Sequence, residues 1–254
     1  MEIRKLRVAV QLIFLALWNM GVAPWLKTGL ICPVLYCYGC PLASFACPIG
    51  VLQNFIVFHR LPLYLAGSLG VYGAIAGRGF CGWACPFGAL QELLGAVRGR
   101  RFRPRPRWYV KYVFLALVLA ATWLTVDTIF CKLCPSGGLF AAIPYRLLNP
   151  HTPMGVYFQI HMLTLAVAVA LFVLAGRIWC SYICPVASLL GPLNRLSLIT
   201  IRLDEEKCTR CGRCLQKCPM NIEKLEDIGV STDCIRCGVC VEECPTGALS
   251  VEVP

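Results

Sequence analysis

The chain has 254 residues, 58% hydrophobic and only 15% charged, with a mean hydropathy of +0.68, a balance outside the range of soluble globular domains that reads as a membrane protein. The net charge of +11 is spread unevenly: residues 1–202 hold eighteen bases and three acids, residues 203–254 six bases and ten acids. Since the bases flank apolar segments, they mark membrane flanks and argue against a nucleic-acid footprint.

Four apolar stretches, 8–26, 61–77, 110–130 and 156–176, approach or reach the roughly 20 residues that cross a bilayer. The first follows Arg4, Lys5 and Arg7 as a signal peptide would, but it is long and lacks a clear small-x-small cleavage site, so a retained anchor is expected. Beyond it come Cys32, Cys37-x2-Cys40-Pro41 and Cys47-Pro48. The second stretch runs into Ala76-Gly77-Arg78-Gly79-Phe80-Cys81-Gly82-Trp83-Ala84-Cys85-Pro86. A basic run of Arg98, Arg100, Arg101, Arg103, Arg105, Arg107 and Lys111 leads into the third stretch, which ends at Cys131-x2-Cys134-Pro135. The fourth carries Gln159 and His161 and runs into Ala175-Gly176-Arg177-Ile178-Trp179-Cys180-Ser181-Tyr182-Ile183-Cys184-Pro185. Loops 27–60 and 131–155 hold only two Lys or Arg each, which by the positive-inside rule puts both termini in the cytoplasm of a multi-pass protein of the inner cell membrane.

The tail spells C-x2-C-x2-C-x3-C-P twice, at Cys208, Cys211, Cys214, Cys218 and at Cys234, Cys237, Cys240, Cys244. In two-cluster ferredoxins the fourth cysteine of each run serves the other cluster. The expected ligands are therefore Cys208, Cys211, Cys214 and Cys244 for cluster I, and Cys234, Cys237, Cys240 and Cys218 for cluster II. Zinc, which also takes C-x2-C pairs, is the lesser alternative.

Both inner motifs read A-G-R-x-aromatic-C-x3-C-P, and each half has a C-x2-C-P on the outer side. The expected fold class is an α-helical membrane protein: four transmembrane helices form two tandem two-helix repeats, about 6–98 and 108–200, followed by an α+β bacterial-type ferredoxin. The domains are then 1–202 and 203–254. Two-span copies keep their topology and are related by a pseudo-twofold axis along the membrane normal. Each half supplies two thiolates per face, and a cubane takes four. Cys81, Cys85, Cys180 and Cys184 can close an inner site, with zinc or free structural thiols as the alternative. Cys37, Cys40, Cys131 and Cys134 can close an outer one. Cys47-Pro48-Ile49-Gly50-Val51-Leu52-Gln53 echoes Cys85-Pro86-Phe87-Gly88-Ala89-Leu90-Gln91 and makes Cys47 another candidate ligand; Cys32 and Cys47 lack counterparts in the second half. Three disulfides are the other reading of the six outer cysteines. Proline after the second cysteine suits the first position of a helix, whose N–H groups would face an anionic cluster.

No C-x-x-C precedes a histidine, which disfavours c-type haem, and His59, His151 and His161 are too scattered for paired b haems. His161 is the one candidate quinone contact, against the plainer reading of a hydrogen-bonded histidine. No phosphate loop, paired-carboxylate site or nucleophile with a base appears, and Glu2, Glu92 and Asp127 make no proton path. No stand-alone catalytic site is expected.

With four spans, paired C-x3-C-P motifs and the two-cluster tail, nearly the whole chain resembles the polyferredoxin-like membrane 4Fe-4S proteins. These are typified by the quinol dehydrogenase subunit of periplasmic nitrate reductase and the membrane domain of the nitrous oxide reductase regulator-type flavoprotein. The resemblance implies an electron-transfer subunit working between the cytoplasmic side or the quinone pool and a redox partner subunit: a cytochrome, a reductase or another iron-sulfur protein. The outer cysteines exceed what the nitrate reductase type implies and favour a path through the membrane. The alternative is a maturation or sensing protein that reduces a metal ion or disulfide for another complex.

Overall fold

Glycines and Cys-Pro pairs, more than hydropathy, set where the apolar helices stop. A computed structural model gives the fold and describes residues 3–21, 23–97, 108–151, 153 and 155–253. Glu2 and the arginines at 98–107 lie outside the described residues. The protein is mostly helical. Helices α1 (Ile3–Trp18), α2 (Pro48–Val57), α3 (Leu63–Ala76), α4 (Gly79–Trp83), α5 (Pro86–Val97) and α6 (Val110–Thr125) come first. Next come α7 (Ile129–Leu133), α8 (Pro135–Gly137), a π-turn at Gly138–Ala142, α9 (Ile143–Leu148), α10 (Val156–Ala175), α11 (Ile178–Tyr182) and α12 (Pro185–Leu190). The tail holds β1 (Thr200–Leu203), α13 (Arg213–Gln216), α14 (Val239–Glu242) and β2 (Leu249–Glu252), with β1 and β2 antiparallel from Thr200↔Glu252 to Leu203↔Leu249.

Among the described residues only α10, with 20 residues, is long and apolar enough to cross a membrane unaided. Helix α3 has 14 residues and α6 has 16, which at 1.5 Å per residue gives about 21 and 24 Å, short of the ~30 Å hydrocarbon core. The cause is local. Helix α3 ends at Gly77, whose φ of +53° and ψ of −126° only glycine adopts easily. An added Cβ there would also lie 2.3 Å from Asn194 Oδ1. Helix α6 ends on Val126 in the left-handed region (φ +53°). Gly176 closes α10 with φ +63° and ψ −120°, so the two A-G-R segments follow one backbone path.

Irregular backbone fills the gap after α1. Ile31, Cys32, Val34, Leu35 and Tyr36 are buried although their segment has no regular structure, so its polar groups need partners within the protein. Cys32 N donates to Ala46 O, Ala46 N to Leu30 O, Ser44 N to Trp18 O and Gly21 N to Leu42 O. Outside, Leu117, Leu124, Leu163 and Val167 are exposed on the apolar helices.

Candidate iron-sulfur centres

Two cavities open in the tail. One is lined by Cys208, Cys211, Cys214 and Cys244. The other is lined by Cys218, Cys234, Cys237 and Cys240, with Cys214 at its edge. The two loops share a backbone: Arg210 and Arg236 are left-handed (φ 53° and 48°), as are Gly212 and Gly238 (φ 72° and 78°), a path that turns successive N–H groups inward. Cys211 is exposed, whereas Cys214, Cys234 and Cys237 are buried.

Cys81, Cys85, Cys180 and Cys184 are all buried, and Cys81, Cys85 and Cys184 each feel the charge of Cys180. The halves interlock here. Arg78 donates from Nη2 to the Cys180 carbonyl at 3.0 Å, and Arg177 from Nη1 to the Cys81 carbonyl at 3.0 Å. Gly88 N–H donates to Cys85 Sγ at 3.4 Å. Gln91, fully buried on α5, donates from Nε2 to Cys180 Sγ at 3.2 Å. Arg177 Nη2 and Trp179 Nε1 are buried donors without a partner, and an anionic cluster supplies acceptors for such groups. Burial pushes the Cys85 thiol up to about 12; bound iron is what keeps buried sulfurs as thiolates. The donor set fits a cubane.

Four helices begin at a Cys-Pro pair: α2 after Cys47, α5 after Cys85, α8 after Cys134 and α12 after Cys184. Cys47 accepts N–H groups from Gly50, Ile49 and Tyr36, and Cys134 from Gly137 and Ser136. Cys131 and Cys134 both feel the charges of Cys47 and Cys37. Cys40, grouped by spacing with the outer set, instead sets its Sγ 3.9 Å from Asn19 Oδ1. Cys32 directs its thiol at the carbonyls of Ala46 (3.3 Å) and Val34 (3.4 Å). All eighteen cysteines are free. Among the described residues, no three Cys, His, Asp or Glu side chains converge as tightly as a single ion requires; a cubane spreads its four thiolates over a larger tetrahedron.

Acids clamp the buried cations in two matching groups. Glu92 takes Arg7 (2.7 Å) and Arg177 (2.8 Å). Asp233 takes Lys111 (2.6 Å) and Arg78 (3.4 Å). Burial alone would push the Glu92 carboxyl up, but Arg177 and then Arg7 outweigh it and hold the group down at about 2. Glu92 stands seven residues after Cys85; the residue seven after Cys184 is Gly191. A Cβ at Gly191 would lie 3.0 Å from the Thr232 carbonyl, so the tail approaches closely where the second half lacks an acid, and Asp233 fills that role. The tail segment is seated further by Trp83 Nε1 on Arg236 O (2.9 Å) and by Asn194 Nδ2 on Ser231 O and Cys234 O (2.7 and 2.8 Å). His161 sets Nδ1 2.8 Å from the Tyr157 carbonyl and Nε2 3.1 Å from the Cys131 carbonyl, and the one N–H of a neutral ring donates to one of the two.

Sequence reasoning missed Gln53, Gln91, Lys111 and Asp233 as site residues. The Cys47 and Cys85 echo ends on the two glutamines, which was the available signal. Nothing in the sequence pairs Asp233 with Arg78.

Comparison with known families decides the class. A family model described as "4Fe-4S binding domain" matches residues 60–105, 108–151 and 159–203, more than half of the chain. The chain belongs to this family. A second model, "4Fe-4S dicluster domain", matches residues 200–246. An uncharacterized protein of Methanocaldococcus jannaschii is 33% identical over 71% of this chain and 68% of its own length. The putative electron transport protein YccM of Escherichia coli is 31% identical over 65% of this chain, and the match spans 47% of YccM. The ferredoxin-type protein NapH of Escherichia coli is 31% identical over 68% of this chain, and the match spans 59% of NapH. No solved structure matches. The protein is thus a polyferredoxin-like 4Fe-4S electron-transfer protein with several clusters.

Proposed function

We propose that the chain is a multi-pass membrane relay with both termini in the cytoplasm, passing electrons between a soluble redox partner and a partner subunit. Residues 1–202 form two tandem repeats with four spans, in which α1 and α3 run on into buried non-helical backbone and α6 turns at Val126 into α7. Residues 203–254 form the ferredoxin domain. Cluster I is held by Cys208, Cys211, Cys214 and Cys244, cluster II by Cys234, Cys237, Cys240 and Cys218, and the inner cluster by Cys81, Cys85, Cys180 and Cys184.

The seating of residues 231–237 on the inner motif carries this reading. Gly82 approaches the tail so closely that a Cβ would lie 2.4 Å from the Ile235 carbonyl, and Arg177 feels the charges of both Cys180 and Cys237. Cluster II therefore stands next to the inner cluster. Cluster I, with exposed Cys211, is the port for the soluble partner. Burial and N–H···S bonds at the inner set tune its potential.

The test uses sealed vesicles containing the purified protein, with dithionite outside and an acceptor dye inside. Cys85→Ser should remove about four irons and stop reduction of the dye while the tail clusters still bleach. Undiminished dye reduction would overturn the relay.

A further inference from the structure

The outer cysteines remain, and three of them, with a glutamine, repeat the construction of the inner site. At the inner site, Cys85 opens α5, Cys184 opens α12, Cys180 lies within α11, and Gln91 reaches from the first half to the Cys180 sulfur. At the outer site, Cys47 opens α2, Cys134 opens α8, Cys131 lies within α7, and fully buried Gln53 reaches from the first half to the Cys131 sulfur at 3.4 Å. Both glutamines stand six residues after their Cys-Pro cysteine. The orientation of the Gln53 amide is fixed, because its Oε1 accepts from Phe130 N–H (3.2 Å) and Thr122 Oγ1 (3.3 Å). Its NH2 must therefore face the sulfur.

We propose that Cys37, Cys47, Cys131 and Cys134 hold a fourth 4Fe-4S cluster, with Gln53 as a hydrogen-bond donor to one of its thiolates. Cys47, and not Cys40, is the counterpart of Cys85. Cys37 takes the place of Cys81: the charges of Cys37 and Cys47 both act on Cys131 and Cys134, whereas Cys40 is turned to Asn19. Cys32 stays outside the ligand set as a thiol that donates to two carbonyls. Cys47 and Cys85 both act on it, so it is near a cysteine of each site. The buried segment around Cys32 thereby brings the outer site towards the inner one. This proposal rests on the relay reading and extends that relay by one centre.

Iron and acid-labile sulfide per chain, measured on the full chain purified without oxygen, test the proposal. The wild type should carry about sixteen irons. Cys47→Ser, Cys131→Ser and their double variant should each carry about twelve, while Cys40→Ser and Cys32→Ser keep about sixteen. A wild type with about twelve irons, or a Cys40→Ser that loses four while Cys47→Ser keeps them, would overturn this ligand set alone. A wild type with about eight would remove the inner cluster and the relay reading as well. Gln53→Leu guards against misfolding: it should keep every iron and lower the midpoint potential of one cluster only, since a hydrogen bond to sulfur favours the reduced state. Four unchanged midpoints in that variant would also overturn the proposal.

Discussion

Replacing Asp233 with asparagine removes the carboxylate paired with two buried cations, which otherwise face the sulfurs of the inner cysteines. Lys111 Nζ stands 2.6 Å and Arg78 Nη1 3.4 Å from Asp233 Oδ1, and the carboxylate side chain is 6% exposed, so solvent cannot replace it. Breaking one partner of a buried pair costs about 3–5 kcal/mol. The asparagine keeps a hydrogen bond to Lys111, which favours the low end, and about 3 kcal/mol lowers the docking equilibrium constant of the tail some hundredfold. Both tail clusters should survive, because none of their cysteines is touched. The assay is EPR of the fully reduced protein, in which spin coupling between cluster II and the inner cluster should weaken, together with faster tryptic release of the tail. Glu92→Gln is the comparison: it strips the matching acid from Arg7 and Arg177 but leaves Asp233 paired with Lys111 and Arg78, so tryptic release of the tail should stay closer to the wild-type rate than in D233N. A D233N protein with wild-type coupling and wild-type cleavage would refute the clamp.

Three more expectations follow from the same contacts. Because the Glu92 carboxyl is held at about 2 against an ordinary 4.5, its stabilisation is complete above about pH 5 and drains away as the pH falls towards 2. Glu92→Gln should therefore be about 2–3 kcal/mol less stable at pH 7 and flatter between pH 5 and 3, as read by tryptophan fluorescence on unfolding; parallel curves would contradict this. Gly82→Ala must push back the Ile235 carbonyl that a Cβ would meet at 2.4 Å, so tryptic release of the tail should quicken at constant iron content, and an unchanged rate would count against the seating. Trp83→Phe loses the bond from Nε1 to Arg236 O (2.9 Å), worth about 1 kcal/mol; the unfolding midpoint should drop, and no drop would assign that bond no weight.

Much of the chemistry was legible because ligand spacing is a local property. The C-x2-C-x2-C-x3-C-P runs and the paired C-x3-C-P motifs need no tertiary knowledge, and both lie within segments matched by 4Fe-4S family models. Helix length was less legible in the third stretch: hydropathy ran through 110–130, but the left-handed turn at Val126 ends α6 at Thr125, whereas α3 fills 61–77 to within two residues at either end. Residues 31–36 show neither helical nor strand periodicity, so nothing in the sequence announced that they are buried as irregular backbone. The C-x2-C spacing ties Cys40 to Cys37 and says nothing of Asn19, which stands 3.9 Å from the Cys40 sulfur. The Asp233 clamp joins residues more than a hundred positions apart, and no periodicity reaches that far.

The glycine at position 191 gives the helical part a way to register the state of its own tail. Its two acid clamps are alike except in origin: Glu92 is built into α5, whereas the other acid arrives from a loop that also carries Cys234 and Cys237. Metal binding and folding are coupled in small cluster domains. Displacing that loop would take Asp233 away from Arg78 and Lys111 and leave the inner cysteine sulfurs to face them. The seating of the tail and the charge balance of the helical part thus depend on the same carboxylate.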